Sequence, residues 1–292
     1  MLKALRKSIF VNLQYCLPHH FISRIVGLVA QCENQFIKKQ FIHRFAKHYQ
    51  VNMDEAEQPD LDHYPHFNAF FTRALTASAR PINDQTDSVI SPADGVISQI
   101  GNIASGHIIQ AKGMRYTAQS LLGGHVDDAQ PFLEGDFATI YLAPKDYHRL
   151  HMPISGTLTK MIHIPGRLFS VNPTTAESVP NLFARNERVV AMFDTANGPM
   201  ALVLVGAMIV ASVETVWHGI VTPPTRSKIQ YWDYRDDSIR LEKGAEMGRF
   251  RLGSTIIILF PQNTVQWNAS AQPDKSVLMG SSVANLLQQI ND

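Results

Sequence analysis

The sequence predicts an α+β protein in which N-terminal amphipathic helices precede a β-rich body. Through the first 50 positions, apolar residues recur at three- and four-residue spacing, the period of one helix face. From about Pro81, short β-branched runs alternate with Gly, Pro, Asn and Asp, the texture of strands and turns. Charge divides the chain at the same place. The first 50 residues carry eight basic side chains (Lys3, Arg6, Lys7, Arg24, Lys38, Lys39, Arg44, Lys47) against Glu33, a net of +7. The remainder carries eighteen against twenty-four, a net of −6. A basic segment on an acidic body points to an anionic partner for the first part only. The whole chain, at +1, is no polycation for nucleic acid, and 45% apolar residues exclude a disordered chain.

The elements follow in order. Leu2, Leu5, Ile9, Leu13 and Leu17 share one face of a first helix that Pro18 ends. A second apolar stretch runs over about 21–31 and includes Arg24. A third, about 33–49, sets Phe36, Ile37, Phe41, Ile42 and Phe45 against Lys38, Lys39, Arg44 and Lys47. Three such stretches suit a membrane surface, although each could also pack on the body of its own protein. Residues 58–80, with Phe67, Phe70, Phe71 and Leu75, predict a linking helix. Strands are expected near 88–90, 95–100, 107–110, 137–142, 156–164, 189–193, 201–213, 228–232 and 255–260. The boundary between helical segment and β-rich domain falls at 57/58. Residues 91–96 and 152–157 echo each other as Pro-containing turns before a strand. The longest apolar run, 200–213, is too short to span a bilayer. No small-residue cleavage site marks a secretory signal. Cys16 and Cys32 are expected to be reduced thiols, too few for a disulfide framework or a cysteine zinc site.

Chemistry concentrates at Leu252-Gly253-Ser254-Thr255, ahead of an apolar strand. Glycine leaves its carbonyl unhindered, and the neighbouring hydroxyl can attack it. The resulting ester breaks the chain by β-elimination, and the new dehydroalanine terminus loses ammonia to become a pyruvoyl ketone. Such a ketone condenses with amines and serves as an electron sink. By itself, Gly-Ser-Thr also reads as an ordinary turn. His148 and His151 stand three residues apart before Pro153 and offer proton transfer near neutral pH. They also read as structural histidines, or as two of the ligands of a zinc site that lacks a named third. Asp94, in the turn 91–95, can orient an imidazole or simply form the turn. Asp94, His151 and Ser254 together make a candidate Asp–His–Ser set. No phosphate loop, dinucleotide fingerprint or Gly-x-Ser-x-Gly elbow is present.

The run 246–255 (Glu-Met-Gly-Arg-Phe-Arg-Leu-Gly-Ser-Thr) resembles the self-processing site of the pyruvoyl-dependent phosphatidylserine decarboxylases of the bacterial, membrane-associated type. Further segments resemble that family in the same order: 67–73, 79–82, 91–95, 144–153, 166–172 and 183–188. The resemblance spans about 1–285. It implies a proenzyme cut between Gly253 and Ser254 into a β chain, 1–253, and an α chain, 254–292, headed by pyruvoyl. Asp94 and His151 would activate Ser254. The pyruvoyl ketone would form a Schiff base with phosphatidylserine, carbon dioxide would leave, and phosphatidylethanolamine would be released. His148 would contact the substrate carboxylate or reprotonate the product. Leu168, Phe169, Ser170 and Asn172 would line the lipid mouth. No metal is implied.

The same resemblance implies a barrel-sandwich core, like that of lipoyl and glucose-permease phosphocarrier domains. It also implies a homodimer of processed units, attached peripherally to an anionic membrane at the cytoplasmic face of the bacterial inner membrane and serving phospholipid synthesis. Two alternatives compete. One is a zinc hydrolase using Asp94, His148, His151 and His163; the other is a silent membrane-binding module.

Overall fold

A computed structural model describes residues 2–208, 212–223, 228–251 and 254–287. Gly253 of the expected cleavage bond lies outside the described residues, as do the side chains of Leu2, Lys3, Leu5 and Arg6.

Three helices lead the chain: α1 (Leu2–Cys16), α2 (His19–Ala30) and α3 (Gln35–Tyr49). Pro18 separates the first two. Asn34 caps α3 by accepting from the amides of Phe36 and Ile37, and Gln50 closes it in the left-handed region at φ 53°. The helix expected over 58–80 is instead a 3₁₀ turn, Leu61–His63, and one short helix, α4 (Phe67–Phe71). Pro59 and Pro65 interrupt the segment.

The body begins with β1 (Ser88–Ile90), β2 (Gly95–Asn102), β3 (His107–Ala111), β4 (Met114–Thr117), β5 (Asp136–Tyr141), β6 (Arg149–His151), β7 (Gly156–Ile164), β8 (Arg188–Thr195) and β9 (Gly198–Val205). It continues with β10 (Val213–Thr215), β11 (Gly219–Ile220), β12 (Gln230–Asp233), β13 (Arg240–Leu241), β14 (Glu246–Phe250), β15 (Thr255–Phe260), β16 (Val265–Trp267), β17 (Ser276–Val277) and β18 (Ser282–Leu286). The run expected as one strand over 201–213 is thus divided, β9 ending at Val205 and β10 beginning at Val213.

Every strand ladder described is antiparallel. The largest sheet runs β12-β7-β8-β9-β15-β5-β2-β17, with β13 also on β7. A four-stranded sheet, β11-β10-β14-β6, and a three-stranded one, β1-β18-β16, cover one of its faces. Among the described residues no sheet closes into a barrel; the stacked sheets form a sandwich with the helices outside it.

Alternation along the central strands shows why their sequences are apolar throughout. In β15, Ile256, Ile258 and Phe260 join Leu150, Met247 and Phe250 in the core between sheets. Ile257 and Leu259 point to the other face, where Val11, Ala30, Ile42 and Ala46 of the helices meet Val203 and Phe137. A strand covered on both sides has no face for polar residues. The first 57 residues therefore share a core with the body. Their outer face leaves Phe21 64%, Leu28 76% and Phe36 75% exposed.

The two echoed turns pack against each other. Ile90 N donates to Pro153 O at 3.1 Å and His151 N donates to Pro92 O at 2.9 Å. Gly95 follows the first turn where a Cβ would stand 2.4 Å from the Tyr141 carbonyl oxygen, so the strands can close only on glycine.

Candidate active site

Ser254 stands immediately before β15. Its carbonyl accepts from Leu142 N at 2.9 Å, and Thr255 enters the ladder between Tyr141 and Val205. The Ser254 side chain is fully buried, and its Oγ has no hydrogen-bond partner. Thr255 Oγ1 is in the same condition. A buried hydroxyl without a partner costs about 1–3 kcal/mol, and in a native fold it calls for an explanation such as a reaction. On the other side of the expected cleavage bond, Phe250 N donates to His148 O at 3.0 Å and Arg251 N donates to Ser212 O at 3.0 Å. Segment 142–148 thus anchors the chain both before and after the bond.

His148 is fully buried, with its ring stacked on Phe71 at 4.0 Å. Phe71 belongs to an aromatic cluster with Phe67 and with Phe45 of α3, so the N-terminal helices help to place this imidazole. Burial, and then the Arg73 guanidinium, push its pKa down to about 3; the carbonyls of Pro144 and Ala143 act in the opposite direction. At neutral pH it is uncharged.

His151 is held at both nitrogens. Its Nδ1 lies 2.8 Å from Gly244 O and its Nε2 lies 3.1 Å from Tyr147 Oη. A carbonyl can only accept, so Nδ1 carries the hydrogen, and Nε2 is the basic nitrogen receiving the Tyr147 hydroxyl. Burial lowers the His151 pKa, opposed by the Gly244 carbonyl and, more weakly, by Glu246 and Asp94. Burial pushes the Tyr147 phenol up to about 12, keeping it protonated.

Asp94 is clamped. Arg80 Nε donates to it at 2.8 and 3.0 Å, Arg80 Nη2 at 2.6 Å, and Met279 N at 2.8 Å. Arg80 also reaches Glu55 at 2.9 Å. No hydrogen bond joins Asp94, His151 and Ser254 to one another: Asp94 is given to Arg80 and Met279, His151 to Gly244 and Tyr147, and Ser254 Oγ to nothing. The fold does bring Asp94 and Tyr147 to one cleft of about 370 Å³, which Arg73, Arg80, Lys145 and Asp146 also line.

Arg80, Arg73 and Tyr147 gained no role from sequence, although all three lie inside motifs quoted above. Charge and aromatic character do not reveal which carboxylate or ring a side chain will meet. The segment expected to line a lipid mouth lies against the N-terminal helices. Leu168 and Phe169 are buried, with Phe169 packed against Tyr15, His19 and Arg185. Ser170 N donates to Gln14 Oε1, and Asn172 caps the short helix Pro173–Ala176. These residues bind α1 and α2 to the body. His163, the further ligand of the zinc alternative, is paired with Glu187 at 3.0 Å. Among the described residues no three His, Cys, Asp or Glu side chains gather where they could hold a metal ion.

The fold is thus an α+β sandwich with a serine hydroxyl sealed at the head of β15 and the backbone on either side of it tied down. The family model described as phosphatidylserine decarboxylase matches residues 67–285, and a model described as PSD matches 9–50. A phosphatidylserine decarboxylase proenzyme of Pseudomonas fluorescens is 57% identical over 281 residues, covering 96% of this chain and 98% of its own length. That of Pseudomonas putida is 56% identical over 287 residues, covering 97% and 100%. That of Ectopseudomonas mendocina is 55% identical over 284 residues, covering 96% and 99%. The chain belongs to the phosphatidylserine decarboxylase family, as its motifs lead one to expect.

Proposed function

We propose that this proenzyme cuts itself between Gly253 and Ser254 and then decarboxylates phosphatidylserine to phosphatidylethanolamine. The observation that carries this reading is the buried Ser254 hydroxyl, left without a partner at the head of β15 in a chain of this family.

In this reading the Ser254 proton passes to His151 Nε2, which the Gly244 carbonyl leaves as the basic nitrogen, and the Tyr147 hydroxyl that donates to Nε2 must turn away or relay that proton. Attack by Oγ on the Gly253 carbonyl replaces the peptide C–N bond with an ester. β-Elimination, which removes the Ser254 α-proton and breaks its Cβ–Oγ bond, then frees the 1–253 chain as a carboxylate, and water hydrolyses the dehydroalanine left at the head of 254–292 with release of ammonia. Asp94, ion-paired with Arg80, contributes negative potential that favours the His151 cation. The dry, enclosed head of β15, with an orphaned oxygen, fits a small pyruvoyl group made from Ser254 itself. Once formed, that ketone supplies an electron sink for loss of the substrate carboxyl. His148, uncharged and stacked on Phe71, is suited to touch the substrate carboxylate or to hold the proton returned to the product carbon.

The basic helices α1–α3, with exposed Phe21, Leu28 and Phe36, suit peripheral attachment to an anionic bilayer. No described helix is long and apolar enough to cross one. The working form would be a homodimer of processed units on the cytoplasmic face of the bacterial inner membrane.

Intact mass under denaturing conditions tests the reading. From 32.6 kDa over 292 residues, cleavage yields pieces of roughly 28 and 4 kDa, the smaller one lighter by one ammonia than a free-serine peptide. A single intact chain in fresh, folded protein overturns it.

A further inference from the structure

A second cavity, of about 550 Å³, opens between α2 and the β10–β11 hairpin. Gly27 and Leu28 form its helical wall, with Ile220 and Pro223 opposite. These surfaces are apolar, and two features make the groove unlike a packing defect. Asn68 lines it with a side chain only 6% exposed, and Asn68 Oδ1 has no hydrogen-bond partner. Ser212 lines it too, with an unpartnered buried Oγ. Buried acceptors are normally satisfied, so an apolar trench with two orphaned oxygens is shaped for a ligand with an apolar body and a polar end.

Charge and position narrow that ligand. Arg24 lines the groove with no ion-pair partner among the described residues, while Arg251 is held by Glu214 at 3.0 Å. An unpaired guanidinium suits a phosphodiester. The outer face of α2 beside the groove exposes Ile25 (47%), Leu28 (76%) and Val29 (44%), and Leu28 belongs to the face proposed above to meet the bilayer. Arg251, which also lines the groove, stands three positions before Ser254 in the chain.

We propose that this groove holds one phospholipid drawn from the membrane, an acyl chain lying along Gly27, Leu28, Ile220 and Pro223 and the phosphodiester on Arg24. The proposal rests on the decarboxylase reading and gives that site a lipid subsite. Gly27 sets its width. A Cβ added there meets nothing within 4 Å, so a larger side chain projects into the trench instead of into the protein.

The test uses the full-length, processed protein with Gly27→Phe, and Arg24→Gln as a second variant. Appearance of both processed pieces reports an intact fold. The measurements are calorimetric binding of dihexanoyl-phosphatidylserine and the ratio of turnover on dioleoyl- to dihexanoyl-phosphatidylserine in mixed micelles. Gly27→Phe is expected to lower that ratio at least tenfold, because a blocked trench penalises the longer chain more. Arg24→Gln is expected to raise KM about tenfold for both lipids, which share the phosphodiester, with partial recovery in Arg24→Lys. Unchanged selectivity and unchanged binding in Gly27→Phe overturn the proposal. So does loss of self-association in Gly27→Phe with lipid binding intact, which makes the trench an interface between copies. If the wild type binds the lipid in a Gly27-dependent way yet releases no phosphatidylethanolamine, the groove stands and the decarboxylase reading falls.

Discussion

The two halves of the site are built on opposite principles. Around Asp94 every charge is answered: Arg80 clamps the carboxylate at two oxygens, Met279 N adds a third contact, and Glu55 takes the remaining reach of the guanidinium. Around Ser254 polar groups are sealed in and left unanswered: Ser254 Oγ, Thr255 Oγ1 and both nitrogens of His148 lack hydrogen bonds. The first half resists change because any removal strands a buried charge. The second half is costly to hold folded, because each sealed polar atom without a partner forfeits its bond to water. A saturated scaffold beside an unsaturated centre is what self-modification demands. One part must stay still while the other reacts.

The comparison can be broken most directly at Ser254. Ser254→Ala is expected to abolish cleavage completely, leaving one full-length band and no 4 kDa piece by mass (roughly, from the chain mass). Cleavage of that variant at the same bond would end the mechanism. His151→Ala is expected to slow self-cleavage about 10²–10⁴-fold, the usual worth of a positioned base. A time course on freshly made chain measures it, and normal processing removes His151 from that role.

Arg80→Met probes the saturated half. It leaves Asp94 buried without its counter-ion and is expected to cost about 3–5 kcal/mol in chemical denaturation of the uncut Ser254→Ala chain. A loss under about 1 kcal/mol would show the clamp to be dispensable. In the same background, acid should act through His148. Its folded pKa, about 3, lies below its ordinary 6.5. The unfolded chain therefore takes up the proton first, and the contribution is whole above pH 6.5, declining as pH falls towards 3 by at most about 1.4 kcal/mol per pH unit. His148→Phe should flatten that slope; an unchanged slope would place the acid sensitivity elsewhere. The smallest effect belongs to Thr255→Val. A hydroxyl without a partner has nothing to lose, so stability should change by less than about 1 kcal/mol, or improve. A loss of 2 kcal/mol or more would mean that the hydroxyl is satisfied after all.

Much of this molecule was legible in its sequence because the signals are local. Helix periodicity, the stop at Pro18 and the cap at Asn34 are all settled within a few residues. The strands along 137–142, 156–164 and 255–260 announced themselves by composition and nearly kept their bounds. The reading over 58–80 went further than the physics allowed. Phe67, Phe70 and Phe71 do lie on a helix, but Pro59 and Pro65 keep it from beginning earlier, and it ends at Phe71 after five residues. Those phenylalanines mark a destination in the core more than a periodic face, since they build the stack beneath His148. Leu168 and Phe169 likewise have neighbours that no local window shows: they receive the first two helices.

The order of elements, the basic character of the first 50 residues, the Gly253-Ser254-Thr255 motif and the candidate set Asp94, His148, His151 and Ser254 were all present in the sequence alone. Chemistry depends on residue type, and residue type is what a sequence records. Tertiary structure decided how those residues are partnered. It gave Asp94 to Arg80, gave His151 to Gly244 and Tyr147, stacked His148 on Phe71 and left Ser254 with no partner. The partners lie up to 185 positions apart, as with Asp94 and Met279. Contacts at that range follow from how two faces of one sheet are covered, a property of the whole packed core that no local window of the chain contains.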